Sequence, residues 1–294
     1  MSVRERLHLA AQQLLPLGLL TRLVHWLTRQ RRPRWLKNLA IRTFVRAFAV
    51  NMAESVEPEP SAYPDFNAFF TRALKPGLRP LAAEREAVAS PVDGAVSELG
   101  SIEQGRLLQA KGLYYTVAEL LGGSGDGTAA FQGGSFVTLY LSPRDYHRIH
   151  MPCAGTLRQM IYLPGGLHSV SPATVRTIPQ LFARNERVAC LFDGELGPLA
   201  LVLVGAVNVA AIETVWAGLV APPRGGGPRR VGYPDAGQAG AVSLGRGEEL
   251  GRFNMGSTVV MLLGRGDLAW DRRLVAGAPV RLGEALGRVM HAER

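Results

Sequence analysis

The run LALVLVGAVNVAAI, residues 199–212, decides the fold class. Its fourteen residues are apolar at odd and even positions alike and rich in valine, the signature of a strand buried on both faces. As a helix it would be too short to cross a hydrocarbon core of about 30 Å. It is therefore read as a central strand.

Working outward, further strand-like runs follow one another at short intervals, separated by Gly or Pro turns: AVASPVDGAVSEL (87–99), GSFVTLYLSP (134–143), AGTLRQMIYLP (154–164), ERVACLFD (186–193), STVVMLL (257–263) and APVRLGEALG (278–287). The pattern predicts an α+β fold, a mainly antiparallel, sandwich-like β body with helices confined to the N-terminal end. The Gly-, Pro- and Arg-rich stretch 222–240 reads as a mobile surface loop, and no repeat of fixed period is present. With 294 residues, 47% of them apolar and 19% charged, the chain can build a substantial core and is too apolar for disorder. Cys153 and Cys190 are too few for a disulfide framework or a four-thiolate zinc site.

The net charge of +9 is unevenly placed. Residues 1–46 hold ten basic side chains and one acid, Glu5, while the rest of the chain carries 23 of each sign. A nucleic-acid enzyme would need a basic stripe on its body, so a nucleic-acid partner is not expected. In the basic segment Leu7, Ala11, Leu14, Leu17, Leu20, Val24 and Leu27 recur at helical spacing, broken by Pro16 and Gly18. Beyond Arg29, Arg31, Arg32 and Arg34, the residues Leu36, Leu39, Ala40, Phe44, Ala47 and Phe48 form a stripe opposite Lys37, Asn38, Arg42 and Arg46. Trp26 and Trp35 flank the arginines. Apolar faces bordered by arginine suit a helix lying in the plane of an anionic membrane, with Trp26, Arg34, Lys37, Arg42 and Arg46 as the contacting residues. The alternative is a helical pair that packs on the body and shows its arginines to water. Neither a transmembrane span nor a cleaved signal peptide fits, because Gln12, Gln13, Pro16 and Arg22 interrupt the candidate run. An acidic, proline-rich linker, Glu57 to Pro64, separates this segment from the body, so residues 1–54 and 55–294 are taken as two domains.

Three segments hold polar residues that a plain β body does not require. In SPVDGAVS, Asp93 precedes Gly94 and is compatible with an ordinary turn. In LYLSPRDYHRIHMP, His147 and His150 stand three apart; the spacing allows a metal, but no third ligand accompanies them, so acid–base work suits them better and no metal is expected. In FNMGSTVVML (253–262), Gly256, Ser257 and Thr258 open a strand and taken alone are a turn. Together with FNAFFTRALKPGLRP (66–80) and KGLYYTVAELLG (111–122), these motifs in this order resemble the bacterial phosphatidylserine decarboxylases from about residue 40 to the C-terminus. Met255 stands where leucine is usual, a near-isosteric change.

The resemblance implies a specific chemistry. Decarboxylating an α-amino acid needs an electron sink on the amine. Pyridoxal phosphate would require a lysine, and Lys37, Lys75 and Lys111 all lie away from the two histidines and from Gly256–Thr258 in sequence. The family's solution is a pyruvoyl group made from the chain. Ser257 attacks the Gly256 carbonyl, with His150 as base and Asp93 supporting it, and elimination cuts the chain into residues 1–256 and 257–294. The former Ser257 then forms a Schiff base with phosphatidylserine, and His147 serves decarboxylation as substrate positioner or proton donor. The products are phosphatidylethanolamine and carbon dioxide. The same resemblance implies two chains held by shared strands, a possible dimer of these units, and peripheral attachment to the cytoplasmic side of the cell membrane. Rival readings are a serine hydrolase acting through Ser257, His150 and Asp93, a biotinyl-type carrier, which would need a lysine in its turn, and a non-catalytic lipid-binding protein.

Overall fold

The computed structural model describes residues 23–24, 26–123, 126–206, 211–221, 227–254 and 257–290. Alternating runs of β-branched and aromatic residues give a nine-stranded sheet, paired antiparallel throughout. In spatial order its strands are Arg229–Gly232, Gly155–Leu163, Arg187–Gly194, Gly197–Val204, Ser257–Leu263, Ser135–Leu141, Gly94–Ser101 and Pro279–Val280, with Ser243–Leu244 beside Gly155–Leu163. Thr258 to Leu263 and Leu199 to Val204 are buried without exception, as expected of strands covered on both faces. A four-stranded sheet follows the order Gly218–Ala221, Ile212–Thr214, Glu249–Phe253, Arg148–His150, and a three-stranded one the order Ala87–Ala89, Ala285–Val289, Leu268–Trp270.

The 199–212 run is thus central as predicted, but it is two strands rather than one. At Gly205 the hydrogen bonds turn sideways: its N–H donates to the Glu186 carbonyl at 2.8 Å and its carbonyl accepts from Asn185 Nδ2 at 2.9 Å. Val204 is consequently the last residue opposite the Ser257–Leu263 strand, and the chain re-enters at Ile212 in the smaller sheet. The 87–99 and 278–287 runs divide in the same way, each supplying one strand to the nine-stranded sheet and one to the three-stranded sheet. The predicted loop 222–240 contains an edge strand, Arg229–Gly232, anchored by Arg230 Nη2 donating to the Gly122 carbonyl at 2.7 Å; residues 222–226 lie outside the described residues.

These divisions create a junction. The neighbours 197–204, 257–263 and 135–141 in the large sheet continue, in the same lateral order, as 212–214, 249–253 and 148–150 in the small one. The chain therefore passes between the two sheets at three neighbouring places, after Leu141, after Val204 and before Ser257, and two of the three chemistry-bearing motifs span such a place.

At the N-terminal end, the Arg34–Phe48 helix packs Ile41, Phe44 and Val45 against Tyr63, Phe66, Phe69 and Phe70, a small core separate from that of the sheets and drawn from both sides of residue 54. Its other face is open: Trp35, Leu36 and Leu39 are exposed, as are Trp26 and Leu27 before it. The predicted apolar stripe therefore splits, with Phe44 turned to the body and Leu36, Leu39, Ala40, Ala47 and Phe48 to solvent. One face of the helix thus packs on the body and the other does not. Among the described residues no helix is long and apolar enough to cross a membrane. The helical pattern of residues 7–20 lies outside the described residues.

Candidate active site

The Arg148–His150 strand runs antiparallel to Glu249–Phe253, and the Phe253 N–H donates to the His147 carbonyl at 3.0 Å. Both histidines thereby stand beside the chain leading into Gly256 and Ser257. Met255 and Gly256 lie outside the described residues; Ser257 enters as the first residue of the central strand, its backbone opposite Leu141.

His147 is fully buried, its ring 4.0 Å from that of Phe70. Nδ1 donates to the Asp145 carbonyl at 2.8 Å, which leaves Nε2 as an acceptor, and that atom has no hydrogen-bond partner. Burial, reinforced by the nearby Arg72 cation, pushes the imidazole down to about 3, so it is neutral across the physiological range. His150 is neutral for a related reason. Burial lowers its pKa, opposed by the hydrogen bond from Nδ1 to the Gly247 carbonyl at 2.8 Å and by the Glu249 carboxylate. Its Nε2 lone pair accepts from the Tyr146 hydroxyl at 3.1 Å. A neutral imidazole with an unprotonated Nε2 is the form a general base must have, and the Tyr146 hydroxyl has to give up that lone pair before it can take a proton.

Asp93 lies in the turn where the 87–99 run changes sheets. The following Gly94 is required there, because a Cβ would sit 2.4 Å from the Tyr140 carbonyl oxygen. The carboxylate does not bond His150. Arg79 holds it from Nε at 2.9 Å and Nη2 at 2.6 Å, and the Leu282 N–H donates to it at 2.9 Å. The same Nη2 reaches Glu54 at 2.7 Å. The histidine backbone is nonetheless tied to this turn, since the His150 N–H donates to the Pro91 carbonyl at 2.9 Å. The junction thus gathers Asp93, His147, His150 and the backbone of Ser257, with Asp93 near enough to act on His150 through its field but bonded to Arg79.

A cleft of about 700 Å³ opens beside the junction, lined among others by Arg72, Arg79, Asp93, Tyr140 and Tyr146. Tyr140 is the ladder partner of Thr258, so the cleft borders the start of the central strand. Neither histidine lines it; Tyr146 stands between the cleft and His150. Of the surface residues singled out in sequence, Trp26, Arg34, Arg42 and Arg46 are exposed. Lys37 is tied inward, its ammonium donating to the Ser61 and Tyr63 carbonyls. Sequence reasoning missed Arg72, Arg79 and Tyr146. All three lie in quoted motifs, but their contacts cross 14 or more positions or depend on a turn, and spacing does not reveal such partners.

A family model described as phosphatidylserine decarboxylase matches residues 66–288, and one described as PSD matches 7–49. The chain is 53% identical over 285 residues to the phosphatidylserine decarboxylase proenzyme of Pseudomonas fluorescens, covering 97% of this chain and 98% of that one. It is 53% identical over 289 residues to the proenzyme of the same name from Azotobacter vinelandii, covering 97% and 99%, and 56% identical over 257 residues to that of Alkalilimnicola ehrlichii, covering 87% and 88%. With a junction that gathers these side chains and relatives matched almost end to end, the chain belongs to the phosphatidylserine decarboxylase family.

Proposed function

We propose that the chain is the proenzyme of a carboxy-lyase that converts phosphatidylserine to phosphatidylethanolamine and carbon dioxide, and that it matures by cutting itself between Gly256 and Ser257. The observation that carries this reading is the pair of neutral histidines, His147 buried and His150 half-buried, beside the strand that leads into that bond. In the maturation step the Ser257 hydroxyl adds to the Gly256 carbonyl while His150 Nε2 takes its proton, and the peptide becomes an ester. Removal of the Ser257 α-proton expels the Gly256 carboxylate, and the dehydroalanine left behind hydrolyses to a pyruvoyl group and ammonia. When formed, that group supplies the electron sink that loss of carbon dioxide requires.

The residues present fit such a group. The cut falls before the first residue of the Ser257–Leu263 strand, so the ladder to Leu141 and Val204 survives it. Residues 257–294 would keep their place through the central strand and through pairing of Pro279–Val280 and Ala285–Val289 with strands from residues 87–101. Thirty-eight residues could not hold a core alone. Asp93 acts on His150 through its field, with Arg79 fixing the carboxylate and moderating its charge. For His147, a neutral Nε2 favours accepting a hydrogen bond from the substrate over donating a proton to it. We further infer that residues 1–54 attach the enzyme peripherally to the cytoplasmic side of the cell membrane; the open Trp35, Leu36 and Leu39 face beside exposed arginines supports this.

An intact-mass spectrum tests the reading. Two chains, 1–256 and 257–294, the second lighter by one ammonia, are expected, with Ser257→Ala giving a single uncut and inactive chain. An active preparation consisting of one unbroken polypeptide would overturn it and favour a serine hydrolase.

A further inference from the structure

Two arginines are each only 4% exposed, and they are treated differently by their surroundings. Arg187 spends its whole guanidinium on backbone carbonyls: Nε on Leu120 at 2.8 Å, Nη1 on Asn185 at 2.9 Å and Nη2 on Glu119 at 2.7 Å. Arg72 uses only Nη2, donating to the Arg144 and Asp145 carbonyls at 3.0 and 3.4 Å, and its Nε and Nη1 are buried without a partner. No carboxylate bonds it, although those of Asp145, Asp93 and Glu54 reach it through their fields and the Phe69 ring lies 5.6 Å from its Cζ. Asp93 and Glu54 are bound by Arg79, and Asp145 Oδ2 accepts from the Ser142 N–H and hydroxyl at 2.7 Å. A buried cation with two unused donors is costly unless an anion completes it.

The position of Arg72 points to which anion. It lines the cleft that borders the start of the central strand, and the same cleft is lined by Ala49, the residue that ends the Arg34–Phe48 helix. A lipid entering from the open helix face would bring its headgroup past Arg72 toward Ser257. On the proposed substrate two groups are anionic. A cation on the carboxylate would stabilise the charge that the reaction must remove, and so would oppose the chemical step. The phosphodiester keeps its charge throughout. We propose that Arg72 is the receptor for the phosphodiester anion of the lipid substrate, its free Nε–H and Nη1–H completing the contact when the headgroup enters. This rests on the functional reading above. Both donors are out of contact with solvent here, so the contact forms only when the Arg72 side chain turns toward the cleft as the headgroup enters.

The test uses full-length, self-processed enzyme, with dihexanoyl phosphatidylserine as substrate and dihexanoyl phosphatidylethanolamine, which has the phosphodiester but no carboxylate, as competitive inhibitor. Arg72→Gln should raise KM and the inhibition constant together by about 30- to 100-fold, the effect of a lost charged hydrogen bond, with kcat within about threefold. Arg72→Lys, which keeps the charge but not the fork, should raise both by about tenfold. A rise in KM with inhibition unchanged would assign Arg72 to the carboxylate. No change in either constant would leave it a tether of the 144–145 loop, and both outcomes overturn the proposal. If Arg72→Gln does not process, the same pair of constants on Arg72→Lys decides. A wild-type enzyme that releases no carbon dioxide from phosphatidylserine would sink the functional reading, and this proposal with it.

Discussion

The Ser257–Leu263 strand and the Arg34–Phe48 helix are both apolar segments, and they differ in what covers them. The strand is hydrogen-bonded on both sides and its residues from Thr258 onward are sealed. The helix buries Ile41 fully and turns Phe44 and Val45 inward, while Trp35, Leu36 and Leu39 stay open. Burial of the strand stabilises the fold and lets a backbone cut at its edge be tolerated. The open side of the helix contributes nothing to folding, and its apolar residues need another explanation.

The sharpest contrast lies at the junction beside that strand, where two histidines three residues apart have different surroundings. His150→Ala should slow self-cleavage by at least about 100-fold, the usual scale for a lost general base, and leave one uncut chain on a denaturing gel. His147→Ala should let the cut proceed and abolish turnover. If both variants were cut at the same rate, the two histidines would not divide the work as proposed.

Next in size is the effect on stability. Met261→Ala, in the sealed strand, should cost about 2–5 kcal/mol in urea unfolding. Leu39→Ala, on the open helix face, should stay within about 0.5 kcal/mol. An equal loss at Leu39 would mean that its face is covered in the folded chain and that the contrast between the two segments fails.

Titration gives a smaller and more specific handle. The folded pKa of His147, about 3, lies below the 6.5 of an unperturbed imidazole. The unfolded chain therefore takes up the proton first, and protonation favours unfolding. The stabilising contribution of the neutral ring is complete above about pH 6.5 and is lost as pH falls toward 3. His147→Asn keeps a donor for the Asp145 carbonyl but cannot titrate. Between pH 7 and 5 the wild type should lose about 2 kcal/mol more stability than this variant. Parallel losses would mean that the ring is not sealed.

The contrast also explains how far the sequence could be read. Strand-forming runs, the α+β class and the motifs around Asp93, His147, His150 and Ser257 were legible because period, turn residues and motif order are local properties. Sheet changes at Gly205 and at Ser90–Asp93 were not, because a continuous apolar run looks the same whether its backbone partners stay or change. For the same reason the resemblance sets Asp93 beside His150 without marking the arginine that binds it. Arg79 reaches that carboxylate across 14 positions, and nothing in the spacing of either motif marks the pair. Lys37 was grouped with Arg42 and Arg46 by helical position, and only the loop at Ser61–Tyr63, which takes its ammonium, separates them.

That last difference yields the finest test of the open face. Arg42 is 56% exposed and lies 3.8 Å from an equally exposed Glu59, a pair too solvated to matter for folding. Each arginine held near an anionic bilayer contributes about 1 kcal/mol to attachment. Arg42→Gln and Arg46→Gln should therefore each weaken binding to phosphatidylglycerol-containing vesicles by about fivefold. The loss should shrink in high salt, because exposed charges are screened. Lys37→Gln should change vesicle binding much less, since its ammonium already has two carbonyl acceptors on the body. If Lys37 proved as important as the two arginines, the packed side of the helix would be the one that meets lipid. The assignment of its two faces would then have to be exchanged.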